Sequence, residues 1–327
     1  MRIALDAMGS DGAPGTEIAG AVGALEDDPD VSIVLVGDRE AIEAELGAYP
    51  TDRIEILDSP DRIGSGEAPA QAVRKKPRSS IVQGVRLQKE GGADAFVSAG
   101  STGAVMAASL ILLRPLPGVA RPAVGTILPT AERPTLMLDA GANVDSKPRH
   151  LLQFARLGNI YAQDLMGVTT PRVGLLNIGE EPEKGNELAQ ETYRLLTRSG
   201  LNFVGNIEGR DMIRGRADVV VCDGFVGNVL LKFYESVAEF IIGLLNHQME
   251  GKDHGLDLEG VFRVLDYSEY GGAPLLGVNG VTIICHGQSP SKAIRNALGV
   301  AAQAVRSSMV THIARELAEG EGPGGGE

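Results

Sequence analysis

Six short clusters hold most of the residues whose chemistry exceeds packing. Ser98-Ala-Gly-Ser-Thr-Gly103 brings three small hydroxyl residues and two glycines together. With Gly100, Ser101 and Thr102 at a helix entry, free backbone N–H groups and hydroxyls would make an anion site. No Lys follows the glycines and the spacing is not that of a dinucleotide fingerprint, so a tight turn with an N-cap explains the same residues. Asp139-Ala-Gly-Ala-Asn143-Val-Asp145-Ser-Lys147 packs two carboxylates, an amide and an ammonium into one stretch, followed by Arg149 and His150. Such a set suits a phosphate or a developing oxyanion, although Asp and Asn also cap helices. Glu180-Glu-Pro-Glu-Lys184-Gly-Asn186 reads as a solvated charged loop, and its carboxylates make Mg²⁺ conceivable. Asp223 and Asn228 in DGFVGN, Asp6 in DAMGSDGAP and His286 in CHGQS all follow apolar runs, where a buried polar group needs a partner. No Gly-x-Ser-x-Gly elbow occurs, so a serine-hydrolase triad is not indicated.

The elements that must position these clusters alternate along the chain. Arg2–Asp6, Val31–Val36, Arg53–Leu57, Ala95–Ser98, Ala123–Leu128, Thr135–Asp139, Arg172–Ile178, Val219–Cys222 and Val281–Cys285 read as strands. Their apolar runs are continuous, as in strands covered on both faces. Thr16–Glu26, Ser79–Glu90, Gly103–Leu113, Leu151–Leu165, Asn186–Arg198 and Ser291–Ala318 carry helical periodicity. Strand–helix alternation predicts an α/β fold with a mainly parallel, doubly wound sheet in three α/β/α layers. In such sheets ligands bind outside the carboxyl ends of the strands. All six clusters follow strands, which predicts a cleft along one sheet edge.

The chain has 327 residues, enough for two lobes in one unit spanning 1–318, and no internal repeat is present. The segment 319–327, EGEGPGGGE, is expected to be a disordered tail. A net charge of −13 removes the main affinity term for nucleic acid, so acidic ligands need a locally basic site. Aromatics at 4% with no Trp disfavour a stacking platform for bases or sugars. Cys222 and Cys285 sit in apolar runs and read as core thiols of a reducing cytosol. The N-terminus reads as a strand rather than a signal peptide, and no apolar run is long enough to span a bilayer. A cytoplasmic protein is expected. Val229–Met249 carries a broad apolar stripe that suits a core helix, a dimer contact or an interfacial membrane contact. Phe240, Ile241, Leu244 and Leu245 are the residues expected to meet lipid.

DAMGSDGAP, SAGSTGA, DAGANVDSKP, NIGEEPEKGN, NFVGNIEGRD, VCDGFVGNVLLK, YGGAPLLGVNG and CHGQS follow one another in this order. Together they closely resemble the bacterial phosphate acyltransferases of phospholipid synthesis, the PlsX family, over roughly residues 1–315. One departure is Ser10, where that family commonly has Gly; it is expected only to restrict the turn's backbone. The resemblance implies transfer of a fatty acyl group from acyl carrier protein to inorganic phosphate. It also implies a two-lobed α/β/α fold like that of phosphotransacetylases and isocitrate/isopropylmalate dehydrogenases. A homodimer is implied, working at the membrane surface beside an integral glycerol-3-phosphate acyltransferase. No cofactor or metal is expected, and because phosphate is its own nucleophile no Ser or Cys covalent intermediate is required.

Ser98, Gly100, Ser101, Thr102 and Gly103 are then the candidates to hold phosphate, with Lys147 or Lys184 compensating its charge. Asn143, Asn228 and His286 are the candidate oxyanion donors or acids for the leaving sulfur, and Asp6, Asp139, Asp145 and Asp223 are placed in the same cleft. Arg74, Lys75, Lys76 and Arg78, or Arg210, Arg214 and Arg216, would dock the acidic carrier protein. A phosphotransacetylase-like enzyme using acyl-CoA, a dehydrogenase on the related fold and a non-catalytic membrane scaffold are the competing readings.

Overall fold

The computed structural model describes residues 1–47, 49, 52–249 and 270–320. The first half of the chain forms β1 (Arg2–Asp6), α1 (Gly15–Asp27), β2 (Ser32–Gly37), α2 (Arg39–Leu46), β3 (Ile54–Asp58), α3 (Pro69–Lys75), α4 (Ser80–Lys89), β4 (Ala95–Ser98), α5 (Thr102–Leu112), β5 (Ala123–Leu128), β6 (Thr135–Leu138) and α6 (Pro148–Asp164). The second half forms β7 (Val173–Leu176), α7 (Glu187–Thr197), β8 (Phe203–Ile207), α8 (Gly209–Ile213), β9 (Val219–Val221), α9 (Gly224–Met249), β10 (Ala273–Leu276), β11 (Val281–Ile284), α10 (Ser291–Arg306) and α11 (Met309–Gly320).

All nine expected strands form, because apolar runs such as Ala95–Ser98 and Val219–Val221 are buried throughout. Two further strands, β8 and β10, were not expected. Gly205 and Pro274 break their apolar patterns, and strand propensity alone disfavours both residues. The single helix expected over Ser291–Ala318 is two helices, because Ser308 adopts a left-handed backbone (φ 55°) that ends the first. The last helix runs to Gly320, two residues into the segment expected as tail; 321–327 lie outside the described residues.

The strands form one sheet in the order β3-β2-β1-β4-β11-β10-β5-β6-β9-β7-β8. β3, β2, β1, β4 and β11 are parallel to one another. β6, β9, β7 and β8 form a second parallel set. Between them the pairs β11–β10, β10–β5 and β5–β6 are antiparallel. Three successive reversals leave the two parallel sets running in opposite directions. The expectation that all six polar loops share one edge is therefore corrected: those after β1, β4 and β11 leave one edge, and those after β6, β9 and β7 the other. A run of apolar residues reads the same in either direction, so the sequence carried no sign of the reversal.

Helices cover both faces. One core gathers Ile18, Ile42, Leu151, Leu196, Ile294 and Ile313 from α1, α2, α6, α7, α10 and α11. The other gathers Val73, Ile81, Val105 and Met212 from α3, α4, α5 and α8, with Leu231 of α9 against it. The result is the expected three-layer α/β/α arrangement.

Glu17 in the first turn of α1 is fully buried. Its carboxylate accepts bonds from the Ser10 N–H at 2.7 Å and the Ser10 hydroxyl at 3.0 Å. Ser10 thus does more than restrict its turn, because its hydroxyl anchors a buried carboxylate. Burial pushes the Glu17 carboxyl up to about 7, with repulsion from Asp6 adding a smaller push. A raised native value means the folded state holds the proton more tightly, so the stabilisation is complete at acid pH and is lost as pH rises through about 7. In urea titrations, Glu17→Gln should gain about 2 kcal/mol relative to the parent between pH 5.5 and 8. Stability curves that stay parallel over that range would contradict the assignment.

Candidate active site

A cavity of about 750 Å³ lies across the face of the sheet that carries α5 and α9. It exists because the central strands are short. β6, β10 and β11 have four residues each, so turns leaving opposite edges approach one another across β10 and β5. Thr102, Gly103 and Met106 of α5 line it, with Val124, Thr126, Ile127 and Leu128 of β5 as its floor. Ala140 and Gly141 after β6, Asn228, Leu231 and Tyr234 of α9, and Cys285 and His286 after β11 stand in the wall.

The Ser98–Gly103 turn is organised from within. The Ser98 hydroxyl donates to Asp6 Oδ2 at 2.7 Å and accepts from the Gly100 N–H at 3.0 Å. Asp6 is buried and also accepts from the Met8 N–H at 3.1 Å. Burial pushes its carboxyl up, and the Ser98 bond offsets part of that. Ser101 caps α5, accepting from the Ala104 N–H at 3.4 Å. Ser98, Gly100 and Ser101 shape the turn, while Thr102 and Gly103 open onto the cavity. There the positive end of the eleven-residue helix α5 faces the space.

The Asp139 turn is built the same way. Asp139 is fully buried, and its Oδ1 accepts from the N–H groups of Val124 (3.0 Å) and Ala142 (3.2 Å). Its Oδ2 accepts from the N–H and the side-chain amide of Asn143, at 2.6 and 3.0 Å. The Asn143 amide also donates to the Pro122 carbonyl at 2.8 Å, so both its hydrogens are committed. Burial still pushes the Asp139 carboxyl up despite these bonds. Asp145 pairs with Arg121 at 2.5 Å, which holds its carboxyl below the usual range. Lys147 is exposed at the start of α6, outside the cavity wall.

Asp223 Oδ1 caps α9 by accepting from the N–H groups of Phe225 (2.9 Å) and Val226 (3.0 Å). The helix then presses on the Asp139 turn: a Cβ at Gly227 would lie 1.9 Å from the Asp139 carbonyl oxygen. One residue on, Asn228 sits against Gly141 and faces the cavity. His286 is exposed at the cavity wall, and its Nδ1 accepts from the Gln288 N–H at 3.2 Å. That bond puts the proton of a neutral ring on Nε2, making it the available donor. Cys285 lies in the same wall, but burial pushes its thiol up to about 12, leaving it protonated and unreactive.

The structure thus brings Thr102, Gly103, Asn228 and His286 to one cavity. Lys184 stands exposed in the loop after β7, away from it. Glu180 in that loop faces Arg216 at 2.9 Å and Arg210 at 3.9 Å. Among the described residues no group of three His, Cys, Asp or Glu is placed to hold a metal. Sequence reasoning missed Lys292 and Tyr234, both in the wall. Lys292 lies in the first turn of the helix after the His286 loop, so extending the strand-end rule by one helical turn finds it.

The layered sheet has a phosphotransacetylase-type fold. The EutD phosphotransacetylase from Staphylococcus aureus superposes with a TM-score of 0.63 at 16% identity, covering 93% of this chain and 94% of that one. The model of the family described as "Fatty acid synthesis protein" matches residues 1–312, and the chain belongs to that family. A phosphate acyltransferase of Heliobacterium modesticaldum is 51% identical over 97% of this chain and 98% of its own length. One of Desulforamulus reducens is 50% identical over 98% and 99%.

Because α9 can approach Asp139 only without a side chain at Gly227, Gly227→Ala should push the helix outward. Overpacking of this kind costs about 3 kcal/mol. Urea denaturation should show that loss together with fallen activity, and a variant of parental stability would contradict the contact.

Proposed function

We propose that this protein transfers a long-chain fatty acyl group from the thioester of acyl carrier protein to inorganic phosphate, in the cavity between α5 and α9. One observation carries the reading: the N-terminus of α5 and a set of apolar side chains face the same space. The N–H groups at Thr102 and Gly103, with the Thr102 hydroxyl, would hold phosphate, and Lys292 would add positive charge. Met106, Leu128, Leu231 and Ile242 would take the acyl chain. A phosphate oxygen attacks the thioester carbonyl carbon, giving a tetrahedral oxyanion. The C–S bond then breaks, acyl phosphate leaves, and the carrier thiolate takes a proton. Asn228 and the His286 Nε2–H are the donors for the oxyanion and the sulfur. Lys147 and Lys184, outside the wall, would act on phosphate only through long-range charge. Asn143 and Ser98 would act by holding the turns.

The carrier protein would dock beside α3. Arg74 and Lys75 make no ion pair among the described residues, and Pro69 at the start of that helix abuts Gly103. Lys76 and Arg78 of the same patch pair with Glu67 and Asp58. In the alternative patch Arg210 and Arg216 are engaged by Glu180, Glu208 and Asp211, while Arg214 makes no ion pair among the described residues, so the place beside Gly103 is what favours α3. Phosphate and long-chain acyl carrier protein should yield acyl phosphate, trapped by hydroxylamine as the hydroxamate. Equal turnover of acyl-CoA would favour the phosphotransacetylase-like alternative. His286→Ala should lower kcat by about 10²–10³. Charge reversal at Arg74 and Lys75 should raise KM for the carrier protein with kcat kept. Full activity of folded His286→Ala would remove that residue from the chemistry.

The outer face of α9 supports a homodimer and a peripheral place on the inner face of the cell membrane. Acyl phosphate could there pass to an integral glycerol-3-phosphate acyltransferase. Phe225, Phe233 and Phe240 are 64%, 66% and 68% exposed, and Ile241 and Leu244 continue the stripe. No helix among the described residues is long and apolar enough to cross a membrane. Lys232 lies on the cavity side of α9, paired with Glu235 at 2.8 Å, so attachment would rest on apolar insertion rather than on attraction to anionic lipid. Burying each large side chain contributes about 1.5–3 kcal/mol. Leu244→Glu should lose liposome flotation while light scattering still shows a dimer. A broken dimer with unchanged flotation would put Leu244 in the subunit contact.

A further inference from the structure

The loop between β1 and α1 contributes no side chain to the cavity wall, yet it touches both turns that carry the proposed chemistry. The Asp11 N–H donates to the Gly287 carbonyl at 2.7 Å, one residue from His286. A Cβ at Gly9 would lie 2.7 Å from the Gly100 nitrogen and 2.9 Å from the Ala99 carbonyl carbon, so backbone rests directly on backbone there. The loop therefore spaces the His286 turn from the Ser98–Gly103 turn.

Two side chains hold the loop. From outside, Arg62 Nη2 donates to the carbonyls of Gly9 (3.1 Å) and Ser10 (3.0 Å). From inside, Glu17 takes the Ser10 N–H and hydroxyl on its two oxygens. Ser10 is 1% exposed and Glu17 0%, so this carboxyl meets no solvent and no substrate. A buried carboxyl is costly unless hydrogen bonds compensate it, and here those bonds go to Ser10 of this loop.

We propose that Glu17 is a positioning residue for acyl transfer, acting through Ser10 to set the spacing between His286 and the Ser98–Gly103 turn. The proposal rests on the reading of the cavity as the acyl-transfer site. Misplacement by about 1 Å costs a reaction of this kind up to 10²-fold, whereas contacts made by other residues persist. The expected signature is a loss in kcat with KM nearly unchanged.

The test uses the full chain and three variants. Glu17→Ala should lower kcat at least tenfold with KM for phosphate and carrier protein held. Glu17→Gln, which can still accept from the Ser10 N–H and can donate to its hydroxyl, should restore kcat to within a few-fold. Hydrogen exchange should quicken at Asp11 and Ser289 in Glu17→Ala, while amides of the central strands keep their protection. If Glu17→Ala does not fold, Ser10→Ala carries the test, with a several-fold loss in kcat expected. Parental kcat and exchange in Glu17→Ala, or parental kcat in Ser10→Ala, would overturn the proposal. If the parent itself makes no acyl phosphate, the functional reading fails, and the exchange data still decide whether Glu17 holds the loop.

Discussion

A carboxylate withdrawn from water must either find hydrogen bonds or give up its charge. Asp139 finds four donors, and much of the site follows from how they are supplied. One donor is the N–H of Val124 in the neighbouring strand β5, and three come from the Ala142–Asn143 segment. The turn after β6 is thereby closed on itself, with its own carbonyl facing outward against Gly227. That carbonyl sets how near α9 can come, and α9 is one wall of the cavity. Asp6 holds the opposite turn in the same manner through Ser98 and Met8. Two buried carboxylates, one in each parallel set of strands, shape the two sides of one space without entering it.

The reversal in the middle of the sheet is what lets these two turns face each other. In a sheet parallel throughout, every polar loop would leave the same edge and the cleft would be a rim. Here β10 and β5 interpose, and the opening forms over their face, floored by Val124 and Leu128. A floor of strand side chains is apolar, whereas a rim of loop ends is polar. The combination suits a substrate with a long hydrocarbon tail and an anionic partner at one end.

Much of this was legible before any coordinates. Continuous apolar runs placed nine strands, and the N-cap read in the Ser98–Gly103 turn is supplied by Ser101. Thr102, Gly103, Asn228 and His286, which line the cavity, were singled out because residue type and position after a strand agreed. Other candidates of the right type had already been spent on local bonding. Asn143 gives both amide hydrogens to Asp139 and Pro122, and Ser98 gives its hydroxyl to Asp6. A sequence shows donors but not which of them are committed. Lys292 and Tyr234 were hidden because each sits inside a helical pattern that reads as packing or solvated surface. Strand β10 was hidden by Pro274, which lacks the N–H that a central strand normally uses. Ser10 looked like a mild departure in a glycine turn, and only its distance to Glu17 shows the pairing.

The central claim is that acyl chain and phosphate share the cavity between α5 and α9. A crystal structure with a hydrolysis-resistant acyl phosphonate tests it most directly. The account predicts phosphonate oxygens within hydrogen-bond distance of the Thr102 and Gly103 N–H groups, and the chain lying along Met106, Leu128 and Leu231. A phosphonate bound away from the start of α5, or a chain lying on the outer stripe of α9 with the cavity empty, would contradict it.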